Sequence, residues 1–354
     1  MKYDLMLGKR FTLIVTLALA TSVKAGNRDG DDIITFDVPG AQLTKAIGIV
    51  EGGLVFGLYL DSSHTRHGFL RSPDGRITTI DAPNAVGDTV PEGLNAFGVS
   101  SGLYQDSSGT EHSWVRGRDG EFLEFDPPGA TQSEASNVNA FGVVSGDFYD
   151  ANTVSYGYVR SPGGHFEVYD VPGMGTDPGS GEGVNADAFT GMNIFGENTG
   201  FYTTDLTYIG HGYVRAPNGQ ITTFDAPNSP QGTYPSSINA EGTIVGVSYD
   251  SGGNAHSFSR DRHGEITVLD VPFPGASQTA ALTNNDTNEI VGTYSDMSGN
   301  THGFVRFPDG EFRTVDVPNA TATAVLANNN EGAMTGYFQD SKGVLHGFII
   351  PRCY

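Results

Sequence analysis

The sequence predicts an all-β chain: a seven-bladed β-propeller of four-stranded antiparallel blades, closed by its own N-terminal strand. Three observations predict it. An Asp-x-Pro element occurs seven times, at Asp37, Asp81, Asp126, Asp170, Asp225, Asp270 and Asp316, with spacings of 44, 45, 44, 55, 45 and 46 residues. A second element keeps the same step and also occurs seven times, from His67-Gly-Phe-x-Arg71 to His346-Gly-Phe. Between them apolar residues alternate over short runs separated by Gly, Pro, Asn or Asp, the pattern of half-buried strands and tight turns. A four-stranded unit near 45 residues is what one propeller blade requires. A sandwich or barrel accounts for the alternation but not for the count.

At the N-terminus, Lys2, Lys9 and Arg10 precede an apolar run over residues 11–20, with Val23 and Ala25 as the small residues of a cleavage site. This reads as a secretory signal over residues 1–25 and predicts a secreted protein, extracellular or periplasmic. Ten apolar residues rise only about 15 Å as a helix, half of a roughly 30 Å hydrocarbon core, so no membrane span is expected. Residues 26–33 read as a linker. Ile34-Thr-Phe-Asp-Val-Pro39 is an orphan copy of the fourth strand, and residues 346–350 are a third strand with no fourth after them. The N-terminal strand is therefore expected to complete the seventh blade and cover its open edge. Blades begin near residues 42, 86, 131, 175, 230, 277 and 321, and residues 351–354 form a tail. In the fifth unit the strands are expected over 236–239, 244–249, 256–260 and 266–270.

Charge narrows the function. There are 41 acidic against 19 basic residues, a formal net charge of -22, which argues against nucleic acid as a partner. Cys353 is the single cysteine, so no intramolecular disulfide exists and stability must come from packing. A monomer is expected.

The unit His-Gly-Phe-x-Arg-x-Pro-Asp-Gly at 67–75, Thr-Thr-Phe-Asp-x-Pro at 222–227 and Ile-Asn-x-x-Gly-x-Ile-Val-Gly at 238–246 resembles the HAF-type extracellular repeat of bacteria. The resemblance covers residues 34–350. It implies a secreted or surface protein and no catalytic residues. This chain has Gly or Ser where that family's core has Ala.

A residue present in every blade cannot alone define one site. The repeated His, Arg and Asp are accordingly read as architecture, carboxylates tying the His and Arg side chains to adjacent strands. The Asn at 95, 139, 185, 239, 284 and 328 is read as a ladder of turn-stabilising residues. Counting back from it gives the positions that vary most at the start of each inner strand. Glu92, Glu134 and Glu182 are expected on one arc of the channel mouth, with Lys45 and Tyr234 nearby and Asp177 in the inserted loop at 173–183.

These six residues are the candidate binding set. Glu92, Glu134, Glu182 and Tyr234 are the catalytic candidates, through carboxylate acid/base chemistry in glycoside cleavage or a Tyr/Lys pair in a lyase. The Asp-x-Pro copies and Asp61, Asp106, Asp150, Asp250, Asp296 and Asp340 should share one negative loop face. Two functions follow: a binding module for a glycan, protein or cationic ligand, or an extracellular carbohydrate-active enzyme. No metal or other cofactor is expected. Residues 284–289 resemble a Ca2+-loop fragment but lack its full ligand pattern.

Overall fold

Strands form wherever side chains alternate between two faces, and the Gly-, Asn- and Asp-rich joints reverse the chain between them. In the computed structural model, which describes residues 33–179, 183–185, 191–204 and 209–351, this yields seven antiparallel sheets. The chain is a seven-bladed β-propeller. Blade 5 is representative, with strands Thr233–Ile238, Ile244–Tyr249, Ala255–Arg260 and Ile266–Val268. Its first strand starts earlier than the alternation alone suggests. First strands of neighbouring blades approach one another, so they line the centre of the ring. The expected secretory signal and Cys353 lie outside the described residues, which contain no helix long and apolar enough to cross a membrane.

Closure follows the expected route. Residues Ile34–Phe36 pair antiparallel with Leu345–Ile350, in the register Ile34 with Ile349, Thr35 with Phe348 and Phe36 with Gly347. The last blade is thus assembled from both ends of the described chain.

The core lies between blades. The aromatic of each His-Gly-Phe element is at most 1% exposed: Phe69, Trp114, Tyr158, Tyr213, Phe258, Phe304 and Phe348. Around Phe69, for example, Ala46 and Val55 of blade 1 pack with Ala327, Ala333 and Ile349 of blade 7. The Arg that ends the third strand acts at the same seams. Arg71 lies 4.9 Å over Phe36, Arg160 4.6 Å over Phe125, Arg215 5.0 Å over Tyr169 and Arg260 4.9 Å over Phe224, in each case the aromatic of the preceding blade's fourth strand. Cation–π stacking, rather than the expected carboxylate, is therefore their shared contact; Arg215 also pairs with Glu167.

In six blades the inner strand carries a bulge, and Gly in the second strand makes room for it. At Gly292 a Cβ would fall on the carbonyl oxygen of Ala280, and at Gly336 on that of Ala324. The Ile-Val-Gly part of the repeat is thus a steric requirement of the bulged pairing.

The Asn ladder is real but shifted in three blades. Asn95, Asn139, Asn193, Asn239, Asn285 and Asn329 occupy the turn, not Asn185, Asn284 and Asn328. Asn95 donates to the carbonyl of Asn139, Asn193 to Asn239, Asn239 to Asn285, Asn285 to Asn329, and Asn329 to Val50, at 2.8–3.0 Å. Their Oδ1 atoms accept backbone N–H groups of their own turns. Asn284 and Asn328 instead reach back to the carbonyls of Thr243 and Glu289 in the preceding blade. A belt of side chains therefore joins blade to blade on the face opposite the Asp-x-Pro turns.

Candidate functional site

On the face of the Asp-x-Pro turns the repeated histidines bring two sets of loops together. The Asp-x-Pro turn lies between one blade's fourth strand and the next blade's first. The other Asp opens the turn between second and third strands. His Nδ1 meets the first and Nε2 the second. His67 lies 2.7 Å from Asp81 and 3.5 Å from Asp61; His112, 2.8 Å from Asp126 and 3.6 Å from Asp106. His256 joins Asp270 and Asp250 at 2.7 and 3.5 Å, and His302 joins Asp316 and Asp296 at 2.9 and 3.4 Å. His346 spans the closure, 2.9 Å from Asp37 and 3.6 Å from Asp340.

Local sequence explains the geometry. Asp106 Oδ1 accepts the N–H groups of Ser108 and Thr110, which closes the turn and leaves Oδ2 for the imidazole. The second strand supplies a ring beneath the histidine, as Tyr59 under His67 with centroids 5.1 Å apart. In blade 3 Tyr156 takes the histidine's place, over Phe148 at 5.8 Å.

These contacts shift ionisation. Burial, the largest single influence, disfavours the charged forms of His67 and His112, but the hydrogen bonds to and charges of Asp81 and Asp61, and of Asp126 and Asp106, together outweigh it and hold both above the ordinary imidazole range. At His256 and His302 the bonds from Asp270 and Asp316 are the largest influence, in the same direction. Asp106, bonded by Ser108, and Asp250, bonded by Asn254, are held down to about 2.

The sign of the pH dependence follows. A raised histidine stabilises fully below its unfolded value of about 6.5, and that contribution is lost as pH rises through the folded value. A lowered aspartate stabilises above about 3.9, and its contribution is lost as pH falls through its folded value. Thermal stability is expected to peak between about pH 4 and 6.5 and to fall on both sides. Melting temperatures across that range check this. Replacing His67, His112, His256 and His302 with Gln is expected to flatten the alkaline limb, and an unchanged limb contradicts the assignment.

The described candidate residues each make contacts of their own. Lys45 sits in the first strand of blade 1 with Nζ 5.1 Å over the Tyr337 ring of blade 7, and burial, then Arg66, depresses its pKa. The Tyr234 hydroxyl accepts the N–H of Gly210 in blade 4 at 3.2 Å, and its ring packs edge-on against Phe201. Asp177 is exposed, and Glu182 lies outside the described residues.

Glu92 and Glu134 stand in the first strands of blades 2 and 3. Glu92 occupies the bulge of its strand, Glu134 precedes the next one, and both charges act on the buried hydroxyl of Tyr158, as does that of Asp147. Tyr158 donates to the Glu134 carbonyl at 2.9 Å, and its hydroxyl lies 3.1 Å from Ser113 Oγ. Asp147, 3% exposed and opposite Glu134 in register, lies 3.1 Å from the Ser155 hydroxyl. Sequence reasoning missed Asp147, because a carboxylate inside a strand gives no signal of which seam buries it.

Blade 4 shows the Asp-x-Pro half of the bridge. Its second strand ends at Thr203 and Thr204 follows it, while Asp205, six residues before His211 as Asp61 is before His67, lies outside the described residues. His211 keeps Asp225, with Nδ1 2.9 Å from Oδ1, and next to it a cleft of about 360 Å³ opens. Thr204, Ile209, His211, Asp225, Ala226, Ser229 and Pro230 line it.

Comparison with known proteins places the fold only. The chain is similar to streptogramin B lyase, at 16% identity and TM-score 0.57 over 90% of this chain and 96% of that one. Virginiamycin B lyase from Staphylococcus aureus matches at 12% and 0.57, over 91% and 99%. The β-propeller domain of the Trilobed protease from Pyrococcus furiosus, described as having an open velcro topology, matches at 11% and 0.56, over 87% and 95%. No known family profile and no curated protein matches the chain.

Proposed function

We propose that the chain is a binding module that presents its Asp–His–Asp face to a cationic partner. A propeller fold suits such a role, since it displays loops from many blades on one face. The observation that supports this reading is the imidazole bridging: it fixes two carboxylates per histidine on a single face of a chain with net charge -22. The Asp-x-Pro carboxylates remain open to solvent, Asp81 at 50% and Asp37 at 53% of side-chain exposure. Such a field attracts cations and repels polyanions, and salt weakens it because exposed charges are screened beyond about 8 Å at physiological ionic strength.

Calorimetric titration with decalysine, and with heparin as the anionic control, tests this. Decalysine is expected to bind at low salt, to weaken as salt rises, and to bind more tightly at pH 8 than at pH 6, because deprotonating the histidines adds net negative charge. Heparin binding as well as decalysine, or no decalysine binding at low salt, contradicts the reading.

A second reading is an extracellular carbohydrate-active enzyme acting through Glu92 and Glu134. Their placement in the first strands of adjacent blades, with Glu134 opposite the buried Asp147, favours it. Release of reducing ends by the full chain, abolished in Glu92→Gln, is its expected result.

A further inference from the structure

The face opposite the Asp-x-Pro turns is built as two unlike arcs. On it the turn between first and second strands is held in one way from blade to blade. The ladder Asn accepts the N–H of the residue two places on, at 3.0 Å from Phe97, Phe141, Phe195 and Thr287 and 3.1 Å from Glu331. A backbone fixed in this way sets that residue at the tip of the turn. In blades 2, 3 and 4 the tip is Phe, 61%, 73% and 61% exposed, and Ile194 beside Phe195 is exposed too. In blades 5 and 7 the same position holds Glu241 and Glu331. Asp286 stands beside the tip of blade 6 and Glu51 in the turn of blade 1, and all four acids are exposed.

Lateral contacts separate the arcs further. Asp286 accepts the N–H of Ala240 and the side-chain amide of Asn330, each at 2.8 Å, and Glu331 accepts the N–H of Gly52 at 3.3 Å. Polar bonds thus tie the acidic turns together from blade 5 round to blade 1. Blades 2, 3 and 4 have Ala96, Ala140 and Ile194 where blades 6 and 7 have Asp286 and Asn330, so their tips offer apolar surface instead. Acids stand at both ends of the aromatic arc. Asn193 donates to the carbonyl of Asn239, two residues before Glu241, and a Cβ on Gly98 would meet Leu54, in the turn of Glu51, at 3.8 Å.

We propose that the aromatic arc docks a cationic amphipathic segment of another protein, with apolar side chains on Phe97, Phe141 and Phe195 and Lys or Arg side chains against Glu51 and Glu241. Single exposed apolar residues are ordinary, but three rings at one position of consecutive blades form a patch, which marks an interaction surface. Turn tips already fixed by hydrogen bonds lose little freedom on binding, so the rings can serve as anchors. Charge selects the occupant. Acids flank the arc, and the arginines of the outer turns, Arg76, Arg118 and Arg262, each lie within two residues of an aspartate. A second copy of this chain would bring a net charge of -22 against the same acids. This docking is independent of cation binding on the opposite face.

Fluorescence anisotropy of the full chain tests this with three labelled peptides of one length and helical period: Leu/Lys, Ser/Lys of the same charge, and Leu/Glu. Leu/Lys is expected to bind roughly tenfold or more tightly than Ser/Lys or Leu/Glu. Replacing Phe97, Phe141 and Phe195 together with Ser removes exposed side chains, so the fold should persist, a point its thermal melt checks. That variant is expected to bring Leu/Lys down to the level of Ser/Lys and to leave Ser/Lys itself unchanged, which separates this arc from the opposite face. If the triple variant melts early, Phe141→Ser alone is expected to weaken Leu/Lys severalfold. Equal binding of Leu/Lys and Ser/Lys overturns the inference, as does unchanged Leu/Lys binding by a folded Phe variant. Leu/Glu binding as tightly as Leu/Lys also overturns it. So does sedimentation of the chain with phosphatidylcholine vesicles in the absence of Leu/Lys binding, since the arc then meets lipid.

Discussion

A chain that begins at residue 41 is expected to lose more than about 5 kcal/mol relative to one that begins at residue 33, an amount comparable with the whole stability of many domains. The shortened chain lacks residues Ile34–Phe36, whose backbone pairs with the third strand of the last blade. It also lacks Val38, which is 5% exposed and packs in the seam between blades 7 and 1. Phe36 ties that seam twice, edge-on to Phe69 at 5.9 Å and beneath Arg71 at 4.9 Å. With the strand gone, Leu345–Ile350 presents a bare edge carrying unpaired N–H and C=O groups. Urea denaturation is expected to show a much lower midpoint, and light scattering to show dimers or larger species. Phe36→Ala alone should cost about 3 kcal/mol while leaving the strand paired. A monomeric truncated chain with an unchanged midpoint contradicts the closure.

Gly336→Ala is expected to destabilise by about 3 kcal/mol or more, a large effect for one methyl group. The added Cβ would meet the Ala324 carbonyl oxygen, with the Ala324 carbonyl carbon 3.0 Å and Val325 Cα 3.1 Å away. These are backbone atoms, so no side-chain rotation relieves the clash. The inner strand has to move, and it packs against the first strands of both neighbouring blades. Gly163→Ala is the control. Its Cβ would find only Ser161 Oγ at 3.9 Å in an exposed turn, and its effect is expected within about 0.5 kcal/mol. Similar losses in the two variants, read from denaturation midpoints, contradict the steric account of the bulge.

The repeat made blade number, strand order and closure legible, because each is a statement about period and about which copy lacks which strand. The role of the histidines was legible too, since six of them recur at one position beside recurrent carboxylates. Register inside the inner strand was not. In blade 4 the first-strand pairing is described only at Val184–Asn185 and again at Gly191–Met192. In blades 6 and 7 two Asn stand side by side, Asn284 with Asn285 and Asn328 with Asn329, and only the second of each caps the turn. A count from the wrong Asn displaces the inner-strand positions by one residue, and in a strand that changes the face. Lys45 and Tyr234 illustrate the remaining difficulty. Each is polar and variable, yet each settles against a neighbouring blade through contacts that depend on the twist of the ring, which one unit's sequence does not encode.

The clamp between His346 and Asp37 joins residues near opposite ends of the chain, so the last blade's His/Asp bridge exists only if the ring is closed. Amide hydrogen exchange across residues 34–36 and 347–349 measures that closure directly. The amides of both segments that bond across the pair are expected to exchange slowly and together, at the rate set by global unfolding. Exchange of residues 34–36 at the rate of an unstructured tail, while residues 345–350 stay protected, would contradict the closed ring.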